Sequence, residues 1–75
     1  MKEPTRLQSW LHAAGVTKAE MARRCAYDRS NFQRVVNGTF KPSITLALAI
    51  ERETQGVIDA AELNDEIAMA RKAAA

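Results

Sequence analysis

The sequence predicts an all-α fold, a compact domain of four or five helices. Fourteen of its 75 residues are alanine, the strongest helix former, and only three are glycine. Apolar residues recur at helical spacing, and a Ser, Thr or Asp stands just before most of these runs. A chain of this length forms one domain, so residues 1–75 are expected to be a single domain.

The first helix is predicted to begin after Thr5, which fits a capping box with Gln8 three residues later. An apolar stripe follows at i, i+3, i+4 and i+7. It consists of Leu7, Trp10, Leu11 and Ala14. Gly15 is expected to end the helix in the left-handed conformation, which glycine adopts without strain.

The second helix is predicted to be short. Thr17 and Glu20 fit another capping box at its start, and the helix is expected to end at Cys25. Its inward residues are predicted to be Met21, Ala22 and Cys25. The dipeptide Ala26-Tyr27 then makes a tight connection to the third helix.

The third helix, at about residues 29–37, has one apolar and one polar side. Asp28 is a good N-cap for it, and Asn37-Gly38 is expected to stop it. At about 100° per residue, the side that faces the core consists of Phe32, Val35 and Val36. The outward side consists of Arg29, Ser30, Gln33, Arg34 and Asn37.

Two further helices are predicted after Lys41-Pro42. Ser43 caps a fourth helix that closes at Gly56, and its apolar residues are Ile44, Leu46, Ala47 and Ile50. Asp59 with Glu62 gives the start signal of a fifth. Its stripe is thin and rich in alanine, with Leu63, Ile67, Ala70 and Ala74. Residues 64–75 are therefore treated as a C-terminal helical extension that needs a partner to bury it.

The charge is polarised along the chain. Residues 1–41 hold eight Lys/Arg and three Asp/Glu, a formal charge of +5, whereas residues 42–75 hold three and six, a formal charge of −3. Such a pattern indicates either a basic face for a polyanion or a solvated surface with uneven charge.

Residues 18–37 have the organisation of a helix-turn-helix, in which two short helices meet at a tight turn and the second is polar. The outward side chains of 29–37 are types that read base edges in the major groove. These predicted base-reading residues are Arg29, Ser30, Gln33, Arg34 and Asn37. The segment contains no Asp, Glu or Lys, so no carboxylate in it would repel phosphate.

Contacts to the DNA phosphates are expected from cationic and amide side chains around this helix. Lys18 stands at the start of the second helix, near its free backbone N–H groups. The full set of predicted phosphate-binding residues is Lys18, Lys41, Asn31 and Arg23.

The stretch VTKAEMARRCAYDRSNFQRVVNGTFKPS resembles the Cro/repressor helix-turn-helix family, the class of the phage lambda repressor. The segment that follows, LALAIERETQGVIDAAEL, is similar to the YdaS-like branch of phage regulators and antitoxin-type repressors. Together the two matches cover about residues 5–63. The resemblance implies a five-helix, lambda repressor-like domain that binds double-stranded operator DNA as a homodimer and regulates transcription. It implies a bacterial cytoplasmic location, on the nucleoid.

One residue departs from the family pattern. The turn usually has glycine where this chain has Ala26, because that residue takes a positive φ. Alanine in that conformation costs about 1 kcal/mol. We therefore expect a turn that is slightly strained or differently shaped.

Neither catalysis nor a metal, cofactor or small-molecule substrate is predicted. His12 is the only histidine, Cys25 is the only cysteine and is expected to be a small buried hydrophobe, and no glycine loop fits a phosphate. No run approaches the ~20 apolar residues of a membrane span, and no signal peptide opens the chain. We expect a soluble intracellular protein.

An alternative function is a protein-interaction adaptor or antitoxin that docks a partner protein through a helix-turn-helix body, supported by the acidic second half. For a homodimer, the residues after Val57 are the first candidates for the interface, including Leu63 and Ile67, and the Phe40 loop is the second.

Overall fold

The computed structural model describes residues 5–74, and in this range it contains six α-helices and no strand. They are α1 (Arg6–Ala14), α2 (Lys18–Arg24), α3 (Arg29–Val36), α4 (Ile44–Glu53), α5 (Ala60–Leu63) and α6 (Asp65–Ala74). The prediction of an all-α fold is therefore confirmed, with more helices than expected. Among the described residues, no helix is both long and apolar enough to cross a membrane.

The helices fall into two compact units. The first unit ends at Phe40 and contains α1 to α3, and the second unit begins at Lys41 and contains α4 to α6. The interpretation of residues 1–75 as a single domain stays a prediction.

Five of the six helices begin at the side-chain cap that the sequence predicts. The caps are Thr5, Thr17, Asp28, Ser43 and Asp59, each of which accepts a hydrogen bond from a backbone N–H in the first turn. A cap of this kind stabilises a helix by about 1 kcal/mol. At Asp59 the reciprocal bond from Glu62 is also present, so that capping box is complete.

Four helices end in a Schellman motif, in which a residue with positive φ lets two backbone amides bond back to the last turn. The positive-φ residues are Gly15, Ala26, Gly38 and Gln55, with φ values of 70°, 54°, 80° and 56°. At the end of α2, the amide of Ala26 donates to Arg23 O at 3.1 Å and that of Tyr27 to Ala22 O at 2.9 Å. Ala26 therefore adopts the left-handed conformation expected at the position where the Cro/repressor pattern has glycine.

The core of the first unit is apolar and comes from all three of its helices. The buried residues are Leu7 and Leu11 of α1, Met21 and Ala22 of α2, and Phe32, Val35 and Val36 of α3. The orientation predicted for the third helix is confirmed, since its three apolar residues are at most 4% exposed. Of the three inward residues predicted for the second helix, Met21 and Ala22 are buried, whereas Cys25 is only half-buried.

The second unit has its own core. Its buried residues are Leu46, Ala47, Ala49 and Ile50 of α4, Ile58 and Thr54 of the following loop, Ala60 of α5 and Ile67 of α6. The hydroxyl of Thr54 is satisfied inside this core, because Oγ1 accepts from Ile58 N at 3.1 Å and lies 3.2 Å from Glu51 O. Leu63 packs against the cluster of Ala47, Ala60 and Ile67.

The single fifth helix predicted from Asp59 onward is wrong. Asn64 is extended, with φ −140° and ψ 118°, and separates α5 from α6. Its Oδ1 accepts from Glu66 N at 2.9 Å and from Ile67 N at 3.2 Å, and its Nδ2 donates to Pro42 O at 3.0 Å. Because Asn64 caps α6 and also donates a hydrogen bond to the carbonyl of Pro42, its extended conformation is stabilised and the helix is interrupted there.

Ion pairs connect the helices of the second unit. Arg71 of α6 binds the carboxylates of Glu51 and Asp59, and its Nη1 lies 3.0 Å from Glu51 Oε1. Glu51 also accepts from the amide of Ala60 at 3.1 Å. The bond from Arg71, followed by the bond from Ala60, lowers the pKa of Glu51 below its ordinary value.

We predict that Ala26→Gly stabilises the protein by about 1 kcal/mol, because glycine relieves the steric cost of positive φ at the end of α2. Ala13→Gly is the control: Ala13 is exposed within α1, and glycine there is expected to cost 0.5–1 kcal/mol. Urea unfolding followed by circular dichroism measures both changes. Equal destabilisation by the two variants would show that Ala26 is not strained.

We predict that Glu51→Gln reduces the loss of stability on acidification. The pKa of Glu51 is lowered by folding, so its ion pair stabilises the fold above the unfolded-state value of about 4.3, and this stabilisation is lost as the pH falls through the folded-state value. The measurement is the difference in unfolding free energy between pH 7 and pH 3. Glu66→Gln, at an exposed carboxylate of α6, is the control and should retain the wild-type difference.

Candidate nucleic-acid interface

The candidate interface is the outward side of α3 in the first unit. Helices α2 and α3 pack against each other and are joined by the turn 25–28. The start of α3 is fixed by Asp28, whose Oδ2 accepts from Asn31 N at 2.9 Å. The turn before it is fixed by the Schellman bonds of Ala26 and Tyr27, so the two helices are held in one arrangement.

All five residues predicted to read bases lie on the exposed surface. They are Arg29, Ser30, Gln33, Arg34 and Asn37, of which the first four are in α3 and Asn37 is its C-cap. The cause is local, because burial of Phe32 and Val36 at 0% exposure leaves the polar side of the helix turned away from the core. The structure therefore brings these five side chains onto one helical element.

The charged side chains on the outward side of α3 are positive and are not paired with carboxylates of the described residues. Within residues 5–74, neither Arg29 nor Arg34 forms an ion pair. Asp28 is the nearest acid in sequence, and its carboxylate is engaged with the N–H groups at the start of α3. An anionic ligand approaching α3 would thus meet guanidinium groups that have no carboxylate partner in the described part of the chain.

The residues predicted to bind phosphate divide into two groups. Lys18, at the start of α2, is half-buried and Asn31 of α3 is exposed, and Lys18 has no ion-pair partner among the residues described. Arg23 is held by Glu20, with Nε 3.0 Å from Oε2. Lys41 belongs to the second unit, where its Nζ lies 2.7 Å from Asp65 Oδ2.

Glu20 does not complete the capping box predicted with Thr17. Its carboxylate instead binds Arg23 and also Arg24, whose Nε lies 3.3 Å from Oε1. The bond from Arg23 is the largest cause of the lowered pKa of Glu20, and it raises the pKa of Arg23. Because the two arginines follow Glu20 by three and four residues, the helical spacing alone could have revealed this pairing.

Three aromatic residues and the histidine of the first unit differ in their exposure. Trp10 and Tyr27 are half-buried, whereas His12 and Phe40 are exposed. In the described range of the chain, no group of three or more His, Cys, Asp and Glu is arranged to hold a metal ion.

Thr5 is a residue of this region that the sequence indicated only as a helix cap. Its hydroxyl also donates to Val36 O, at 2.7 Å, in the last turn of α3. The two residues are 31 positions apart, and no periodicity or motif connects them. This contact could only be found in the structure.

No family model, curated protein or solved structure matches the chain in comparisons with known proteins. The resemblance to the Cro/repressor family therefore rests on the residues quoted above.

Proposed function

We propose that this protein is a sequence-specific, double-stranded DNA-binding regulator of transcription, a Cro/repressor-type protein of phage or mobile-element origin. In this proposal the first unit provides the helix-turn-helix of a lambda repressor-like domain, and α3 is its recognition helix. The observation that carries it is the exposed set of Arg29, Ser30, Gln33, Arg34 and Asn37, opposite the buried apolar side of the same helix.

The chemistry of this set suits base edges. An α-helix with its side chains is about 10–12 Å in diameter and fits the major groove, which is about 12 Å wide. Arginine donates two bonds to guanine O6 and N7, and glutamine or asparagine bonds adenine N6 and N7. A solvated helix surface usually carries Glu and Lys, and both are absent from residues 29–37.

Affinity would come from phosphate contacts, which release counterions and make binding depend on salt. Lys18 and Asn31 are the stronger candidates, since Lys18 has no carboxylate to give up within the described chain. Arg23 and Lys41 would have to exchange the carboxylates of Glu20 and Asp65 for phosphate, which slightly reduces what each contact contributes because these exposed ion pairs are weak.

A homodimer is part of the proposal, because one short helix reads few base pairs and two half-sites give the required specificity. The first interface candidate is weakened by the structure: Ile67 is 8% exposed and Leu63 packs beside it in the core of the second unit. Phe40 is 47% exposed, so the Phe40 loop is the better candidate. Binding to operator DNA would place the protein in the bacterial cytoplasm, on the nucleoid.

We rank the adaptor hypothesis second. It relied on the acidic second half as a surface for a partner, but four of the six acids there already form ion pairs with basic residues of the same unit. These four are Glu51, Glu53, Asp59 and Asp65. Three basic residues offset part of the charge of these four acids, since Arg71 binds both Glu51 and Asp59.

We predict that Gln33→Ala and Arg34→Ala each reduce the preference for a selected DNA site over random duplex by about 10- to 100-fold, because each removes a contact to a base edge. The site is first obtained by selection from a random DNA library with the wild-type protein. Arg52→Ala is the control for Arg34→Ala, since it removes the same charge from an exposed arginine of the second unit. It should leave the preference unchanged.

We predict a different result for Lys18→Ala. Loss of a phosphate contact should weaken binding to all duplexes alike and reduce the slope of log affinity against log salt by about 0.9. Gel shifts at several salt concentrations measure both quantities. If Lys18→Ala and Arg34→Ala changed preference and slope in the same way, the assigned roles would be wrong, and salt-insensitive or absent DNA binding by the wild type would favour the adaptor.

A further inference from the structure

The C-terminal end of α3 is tied to the N-terminal end of α1 by one hydroxyl. Oγ1 of Thr5 accepts from Gln8 N at 3.1 Å, which caps α1, and donates its proton to Val36 O at 2.7 Å. A threonine hydroxyl has one proton to donate and lone pairs to accept, so both bonds can exist at once. The same atom therefore serves two helices.

The bond to Val36 completes the backbone hydrogen bonding at the end of α3. The last four carbonyls of a helix have no partner inside it. Here the carbonyls of Gln33, Arg34 and Val35 accept from the amides of Asn37, Thr39 and Gly38, respectively. The fourth, that of Val36, accepts from Thr5. Since Val36 is 0% exposed, water is a poor substitute for this donor.

The methyl group of Thr5 makes a second contact at the same place. A Cβ placed on Gly38 would lie 3.1 Å from Thr5 Cγ2, closer than ordinary van der Waals contact. Glycine at position 38 is therefore favoured both by the φ of +80° and by the close approach of Thr5. The methyl group limits which residue fits at position 38, whereas the bond from the hydroxyl holds the end of α3.

We propose that Thr5 is a positioning residue for DNA recognition: it fixes the C-terminal half of α3, and with it the direction of Arg34 and Asn37. This inference rests on the proposed function. Hydrogen bonds to base edges depend on direction and distance, and binding groups must be held to within about 0.5 Å. The N-terminal half of α3 is fixed separately by Asp28 and is expected to depend less on Thr5.

Three substitutions separate the two bonds. Thr5→Ser keeps the donor and the acceptor, and Thr5→Val loses both. Thr5→Asp keeps the acceptor that caps α1 but has no proton to donate to Val36. Ser9→Asp, at an exposed position of α1, controls for the added negative charge.

The first measurement is amide hydrogen exchange by NMR, which requires no DNA. For Thr5→Asp we expect protection of the Gly38 and Thr39 amides to fall about tenfold relative to wild type, with the Gln8 amide still protected. Thr5→Ser and Ser9→Asp should behave as wild type. Unchanged protection at Gly38 and Thr39 in Thr5→Asp would overturn the inference, even if Thr5→Val fails to fold.

The second measurement is the ratio of affinities for the DNA site selected by the wild type and for random duplex of the same length. We expect the ratio to fall about tenfold in Thr5→Asp, whereas Thr5→Ser and Ser9→Asp retain it. A wild-type ratio in Thr5→Asp would overturn the inference but leave the proposed function intact. Failure of the proposed function is recognisable separately, because the wild type itself would then select no site.

Discussion

Burial of three apolar side chains on one helix is the constraint on which the rest of this structure depends. Phe32, Val35 and Val36 are at most 4% exposed, and burying each is worth about 2 kcal/mol. A helix in which these residues face inward must turn its remaining residues outward. The polar residues of α3 are therefore exposed as a direct consequence of this burial.

The ends of the helices turn this constraint into a defined geometry. N-terminal caps and Schellman motifs satisfy backbone groups that the short helices leave without partners. At Ala26 and Gln55 the chain adopts left-handed conformations without glycine, which indicates that the hydrogen bonds of the motif outweigh a cost of about 1 kcal/mol. At the far end of α3, Thr5 supplies a bond that α3 cannot make for itself.

The charge pattern acquires a physical meaning only when the ion pairs are known. Along the sequence, the first half is basic and the second acidic. In the structure, Glu20 offsets Arg23 and Arg24, and Arg71 offsets two acids of the second unit. The cations that remain unpaired in the described first unit include Lys18, Arg29 and Arg34. Net charge overstates the basic surface, and pairing identifies the part that is available to an anion.

The sequence by itself determined the helical class, the five side-chain caps and the outward face of α3, because these follow from local hydrogen bonding and from the 3.6-residue period. It did not reveal that Asn64 breaks the last helix, where a local cap of α6 is combined with a bond to Pro42, 22 positions away. Nor could it determine the bond between Thr5 and Val36 or the half-buried position of Cys25. Contacts between residues distant in sequence leave no period to detect, so only the tertiary structure decided them.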